Sequence, residues 1–327
     1  MSNGEKHPGV RQSTHLLLNR CRLFGTMGGL LSFLLAVFLN MPQAQEQGSI
    51  LIINSDMAVN RYLVAQIEFK SQLNVPQVVI DLGKKWADVS RVEDTILDKD
   101  PEVIYCIGSK AYLMAYRLAK DKNPIFSSTI NWQRFPLTEN TYGISNELPS
   151  GMQLLMYRYF FPGISKIGLL YSKKYNKEWL KTSVEDAEQV GIEVIGRAIG
   201  KPDQVESALE ELLPRVDALW LISDPIVISS EKSVEQIFRQ SDGMKKPVFA
   251  YNEAFAGYGA VMIISADIPT IGRQAAQLAL RILAEQEITE KVQNPAGSHI
   301  IANMKKTEEY GIELNVEALD SVNRIIK

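Results

Sequence analysis

The sequence predicts an α/β chain built from two mostly parallel sheets with helices on their faces. Three observations lead there. Short apolar runs recur along the chain, and each is continuous rather than alternating, which is how a strand buried on both faces reads. These runs alternate with segments of helical periodicity. The series occurs once before about residue 147 and again after it, which points to two sheets and two lobes.

The first series opens with the strand pattern SILIIN (49–54), bounded by Ser55 and Asp56. A helical pattern follows over 59–73, with Tyr62, Ile67 and Phe69 among polar residues. VVIDL (78–82) reads as a second strand, 89–97 as a helix and VIYCI (103–107) as a third strand. Gly108 and Ser109 open the helix KAYLMAYRLAK, and 124–127 reads as a fourth strand. The second series has a helix over 151–161 stopped by Pro162 and Gly163. It continues with strand 166–171, helix 176–190, strand 193–198 and helix 205–213. Strand 218–223, helix 229–240 and strands 247–251 and 261–265 complete it. The strongest helical pattern is 269–285. Asp267 suits its cap and Pro269 its first turn. Ile271, Ala275, Leu278 and Ile282 form one apolar stripe, opposite Arg273, Gln277, Arg281 and Glu285.

The amino-terminal residues bear on location. No charge falls between Arg22 and Glu46, and Leu23 to Leu39 is almost wholly apolar. A basic start, an apolar run and a small residue, Ala44, before a polar stretch is the layout of a secretory signal peptide over 1–44. The alternative is an uncleaved anchor, since the run is close to the ~18–20 residues that a spanning helix needs. Arg20 and Arg22 keep that end inside, so both readings export the remainder. Lys6, Arg11, Arg20 and Arg22 against Glu5 make this part net +3, so the chain's −3 becomes −6 without it. A mildly acidic surface lacks the basic footprint of a nucleic-acid binder. Cys106 alone would remain of the two cysteines, inside an apolar run, as a buried thiol rather than a nucleophile. His299 would be the only histidine, which leaves little for a metal centre or a catalytic triad. No P-loop, G-x-G-x-x-G or G-x-S-x-G stands in the chain. Neither a cofactor nor a metal is expected, and no enzymatic activity.

What remains is a set of polar residues where strands end, the place where open α/β sheets take their ligands. In the first lobe these are Ser55, Gly108 with Ser109, and Ser128 with Thr129. In the second they are Tyr171, Asp224, Asn252 and Glu253. A glycine at a strand end admits close backbone approach, and a helix starting there offers free N–H groups to an anion such as a carboxylate. Asp224 and Glu253 are expected to face an ammonium group, and Trp132 or Tyr171 to stack on the ligand.

The segments YFFPGISKIGLLYS, VDALWLISDPIV, KKPVFAYNEAF and GRQAAQLALRILAEQ, in that order, resemble the ABC-transporter substrate-binding family that includes tryptophan and tyrosine binders. The resemblance covers most of residues 49–314. It implies a type I periplasmic-binding-protein fold with three crossover segments between lobes. It assigns 45–146 plus 255–288 to an N-terminal lobe and 147–254 plus 289–327 to a C-terminal lobe. It also implies a periplasmic, monomeric receptor that passes a small solute to an inner-membrane permease and its ATPase, with the membrane touched only through the leader. By position, Ser55, Ser109, Ser128 and Thr129 would line one lobe, and Tyr171, Asp224, Asn252 and Glu253 the other. Lys110 and the segment STINWQR, with Trp132 and Arg134, depart from the family pattern and alter the charge and size of the pocket. Two alternatives keep the export: a ligand sensor that signals to a membrane kinase, and an exported α/β hydrolase.

Overall fold

The computed structural model describes residues 49–83 and 89–327. The leader expected over 1–44 lies outside the described residues. Among those described, no helix is long and apolar enough to cross a membrane.

Strand β1 (Ile50–Asn54) is buried along its whole length at the middle of the first sheet. It pairs in parallel with β2 (Gln77–Asp81) on one side and β3 (Val103–Ile107) on the other. β4 (Asn123–Ser127) and β5 (Tyr142–Ile144) extend the sheet in parallel, and β11 (Val292–Gln293) closes its edge. The two-residue period of a strand divides the core. Ile50 and Ile52 face helix α1 (Asn60–Ser71) and α8 (Ile268–Leu283), where Phe69 stacks on Tyr105 with centroids 4.0 Å apart. Leu51 and Ile53 face α2 (Val89–Lys99) and α3 (Ser109–Leu118), together with Cys106. Burial pushes the Cys106 thiol pKa up, which keeps it protonated. Helices α1 and α8 touch so closely that a Cβ on Gly272 would stand 2.5 Å from the Ala65 carbonyl oxygen.

The second sheet runs in the order β13-β12-β10-β9-β8-β6-β7. Its parallel part is β6 (Lys166–Ser172), β7 (Glu193–Ile199), β8 (Ala218–Leu221), β9 (Val248–Ala250) and β10 (Met262–Ala266). β12 (Ser298–Asn303) lies antiparallel to β10, and β13 (Arg324–Ile326) runs parallel to β12. Helices α4 (Ser150–Phe160) and α5 (Lys173–Gln189) contribute to one face, where Tyr157 stacks on Phe249 and meets Trp220 edge-on. Helices α6 (Val205–Leu212) and α7 (Glu231–Gly243) cover the other. The short α9 (Met304–Tyr310) lies between β12 and β13.

The chain passes between the sheets three times: after β5, after β10 and after β11. Two limits of the expected lobe division move. β10 hydrogen-bonds within the second sheet, so the return to the first sheet comes at Asp267 rather than at 255. β11 then pairs with β5, which carries residues 292–293 into the first sheet although 289–327 is assigned to the second lobe. An apolar run such as 261–265 satisfies either core, and strand pairing rather than composition decides which it joins.

Candidate functional site

The carboxyl end of β1 meets the amino end of α3. Ser55 Oγ accepts the Ala111 N–H at 3.0 Å, so the serine of one strand caps the helix that follows another. Gly108 links β3 to α3 with φ +84°, a left-handed conformation that a side chain resists. A Cβ there would also fall 2.7 Å from Ser55 Oγ and 3.0 Å from Tyr62 Cζ. The Tyr62 ring therefore sits against the start of α3. The Ser109 and Lys110 N–H groups belong to the helix's first turn, which carries donors without intrahelical partners and the positive end of the dipole.

The end of β4 is tied to the same place. Gly108 N–H donates to the Ser127 carbonyl at 2.8 Å. Ser128 then turns with φ +54°, and its buried Oγ has no hydrogen-bond partner. Thr129 is fully buried and donates to the Ser127 carbonyl at 3.3 Å. Ser55, Ser109, Ser128 and Thr129 thus gather around one helix terminus. Trp132 does not join them. Its ring lies 5.8 Å from that of Phe126 and packs on the core between the first sheet and α2 and α3.

The second lobe treats its polar residues differently. Asp224 is wholly buried and accepts five hydrogen bonds. Oδ2 takes Ser172 N–H, Ser172 Oγ and Asn176 Nδ2, each at 2.7 Å, and Oδ1 takes the N–H groups of Ile226 and Val227. Asn176 leaves helical geometry inside α5 (φ −130°) at the point where it reaches Asp224. A carboxylate has about four lone-pair sites. The expected ammonium contact therefore gives way to a structural one: Asp224 locks the end of β6 to the end of β8. Glu253 also differs from expectation, because its exposed carboxylate pairs with Arg324 at the start of β13. Asn252 accepts the Ala254 N–H at 2.9 Å and caps a short 3-10 turn. Tyr171 packs on the core, its ring edge 3.2 Å from where a Gly196 Cβ would stand, beside Leu180.

The two lobes meet at these strand ends. Asn131, in a left-handed conformation (φ +53°), donates through Nδ2 to the Ser223 carbonyl, and Ser223 Oγ donates back to Asn131 Oδ1 at 3.2 Å. The Arg134 guanidinium lies 4.8 Å from the ring centre of Tyr175 on α5. Glu147, on the first crossing, accepts the Asn131 N–H on Oε1 and Ser145 Oγ at 3.1 Å on Oε2. Burial raises the Glu147 pKa above the ordinary carboxylate range, against the lowering effect of those hydrogen bonds. Tyr251, at the end of β9, is held neutral first by burial and then by the negative charge of Glu147, with the positive charge of Arg61 opposing.

Asn131, Glu147 and Arg61 lie outside the sequence-based set. A signal existed for Arg61, a cation in the first turn of α1, where the helix dipole disfavours one. Nothing in the local sequence marks Glu147, whose distant partner Asn131 comes from the β4–β5 connection. A surface pit of about 430 Å³ lies elsewhere, at the opposite ends of β6 and β7, lined by Ser165, Lys166, Glu188 and Glu193. Among the described residues no cluster of metal-ligating side chains is present.

Comparison with known proteins points the same way. The family described as ABC transporter substrate binding protein matches residues 83–325. A tyrosine-binding protein of Clostridioides difficile (strain R20291) is 24% identical over 269 residues, covering 79% of this chain and 75% of that protein. The ligand-free, open structure of a substrate-binding protein with adhesive properties from Clostridium difficile superposes with a TM-score of 0.67 at 16% identity. It covers 86% of this chain and 99% of that one. An ABC domain from Streptococcus pneumonia in complex with L-Trp gives 0.59 at 16% identity, over 86% and 100% of the two chains. These structures share the type I periplasmic-binding-protein fold with this chain.

Proposed function

The chain belongs to the ABC transporter substrate binding protein family, a non-enzymatic transport component, and from that premise we propose that it is exported and holds a small carboxylate-bearing, amino-acid-like molecule between its lobes for delivery to a membrane permease and its ATPase. The observation that carries this reading is the gathering of Ser55, Ser109 and Ser128 at the start of α3, in the lobe whose Asn131 pairs with Ser223 of the other. A carboxylate at α3 would receive first-turn N–H donors and the helix dipole at once. Closure of the lobes would exclude water, which strengthens each of those contacts. No bond is made or broken. The output is a population shift toward the closed form, limited by the ligand's preference for it. A micromolar dissociation constant corresponds to roughly 8 kcal/mol. A few charge-assisted hydrogen bonds together with one buried apolar group reach that.

The names of the tyrosine-binding relative and of the L-Trp complex support an amino-acid-like ligand. A thermal-shift screen across amino acids, small carboxylates, purines and short peptides tests the reading, because a ligand of the folded form raises its melting temperature. At least one amino acid or carboxylate should raise it, and the same compound should compact the protein in solution scattering. A compound that binds while the scattering curve stays unchanged would remove lobe closure from the account.

A further inference from the structure

We infer that Arg61 makes this cleft selective for small carboxylates of net negative charge over the zwitterionic amino acids of the same skeleton. The inference rests on the ligand-binding reading above and narrows its substrate class.

Arg61 is poorly explained by the fold alone. It stands in the first turn of α1, where the helix dipole repels a cation. Its Nη2 donates to the Tyr62 hydroxyl at 3.3 Å, and the guanidinium lies 4.9 Å from the Tyr62 ring centre. Its Nε is buried and has no hydrogen-bond partner. A guanidinium cannot shed its charge, and a buried charged donor without an acceptor is costly. Such a group calls for an acceptor that the protein itself does not provide.

Its position says where that acceptor belongs. Tyr62 touches the Gly108 turn at the start of α3, so Arg61 reaches that helix end through its neighbour. Its positive charge also acts on Tyr251 of the second lobe, opposing the burial that raises that hydroxyl's pKa. The second buried, unpartnered polar atom in this region is Ser128 Oγ, beside the same helix end.

The opposing charges expected for an ammonium are committed elsewhere. Asp224 is saturated by five donors, and Glu253 is paired with Arg324 at an exposed site. Both oxygens of Glu147 accept hydrogen bonds, and its burial favours the neutral form. The cleft therefore combines a fixed cation, a helix amino terminus and hydroxyl groups. A ligand ammonium would meet Arg61 without a compensating carboxylate, whereas an amine-free acid meets only attraction.

The test sets each amino acid against the acid that lacks its amine. The pairs are L-tyrosine with 3-(4-hydroxyphenyl)propanoate, L-tryptophan with 3-(indol-3-yl)propanoate, L-leucine with 4-methylpentanoate and L-glutamate with glutarate. Calorimetry on the purified full chain should show at least one acid binding tenfold or more tighter than its amino acid. Arg61→Gln should weaken that acid tenfold or more and abolish the preference, with the melting temperature of the ligand-free protein unchanged. Arg61→Lys keeps the charge and should keep the order of preference. If compounds bind but no acid binds more tightly than its amino acid, or if the preference survives in Arg61→Gln, the inference is overturned and the ligand-binding reading stands. If none of the eight compounds binds, both fall. Should Arg61→Gln fail to fold, the comparison within each pair on the unaltered chain still decides.

Discussion

The strand ends of the two lobes use similar residues to opposite effect. In the first lobe, Ser128 Oγ and Arg61 Nε are buried without partners, and Gly108 at the start of α3 supplies no side-chain cap. In the second, Asp224 takes five hydrogen bonds from its own lobe, Asn252 caps its own turn, and Glu253 reaches back to Arg324. One edge is left with unmet polar capacity, and the other is internally satisfied. Buried polar groups are normally matched, so unmatched ones mark where a guest is expected. On the proposed ligand-binding reading, the first lobe would recognise the ligand and the second, held by the Asp224 lock, would close on it as a rigid jaw.

The comparison breaks most directly at Asp224. Asp224→Ala would leave the donors of Ser172, Asn176, Ile226 and Val227 unpaired in a buried place. Each such donor costs about 1–3 kcal/mol before water fills the gap, so the loss should be on the order of 3 kcal/mol or more in urea unfolding. Unchanged stability with abolished ligand affinity would return Asp224 to the binding surface.

A smaller effect is expected on the recognition side. Gly108→Ala forces a side chain into φ +84° and within 2.7 Å of Ser55 Oγ. The cost should be about 1–3 kcal/mol of stability, with ligand affinity falling as well because the start of α3 moves. If the variant lost stability yet bound every ligand as before, α3 would not be the anchoring terminus.

Smaller again is the contact that joins the two edges. Asn131→Ala removes the reciprocal pair with Ser223. About 0.5–1.5 kcal/mol per hydrogen bond should be lost from the closed form. Solution scattering without ligand should show a larger radius of gyration than the unaltered protein. Identical curves would mean that the Asn131–Ser223 contact does not bias closure.

How far the sequence anticipated this difference depends on the range over which the signals act. Continuous burial of β1 and β3, and their flanking helices, is a local pattern, and it was legible. The return of the chain after β10 rather than at 255 was not, because pairing partners lie far along the chain. The polar strand ends were legible as a set, but not their occupation. Asp224 and Glu253 look alike as carboxylates after strands. Only the kink at Asn176 and the position of Arg324 reveal that both are engaged. Trp132 is equally instructive. An aromatic near a strand end suggests stacking, yet the Phe126 ring offered it a core contact first.

The finest probe of the boundary is Glu147, which belongs to the crossing and not to either edge. Its pKa is raised in the folded protein, chiefly by burial. As pH climbs past the ordinary carboxylate value, the unfolded chain releases its proton while the folded chain holds it. The folded state then binds more protons than the unfolded one, so this residue lowers stability progressively from that value up to its folded pKa, and the penalty is complete above it. Below the ordinary carboxylate value the penalty is absent. Glu147→Gln removes the titration and keeps an acceptor for the Asn131 N–H, while Ser145 Oγ is able to turn and accept from the new amide. Urea unfolding from pH 4 to 8 should therefore show a smaller fall in stability toward neutral pH for the variant than for the unaltered protein. A steeper fall in the variant would mean that the ionised carboxylate is the form the crossing needs. The jaw would then be held across Asn131 by charge rather than by neutral hydrogen bonds.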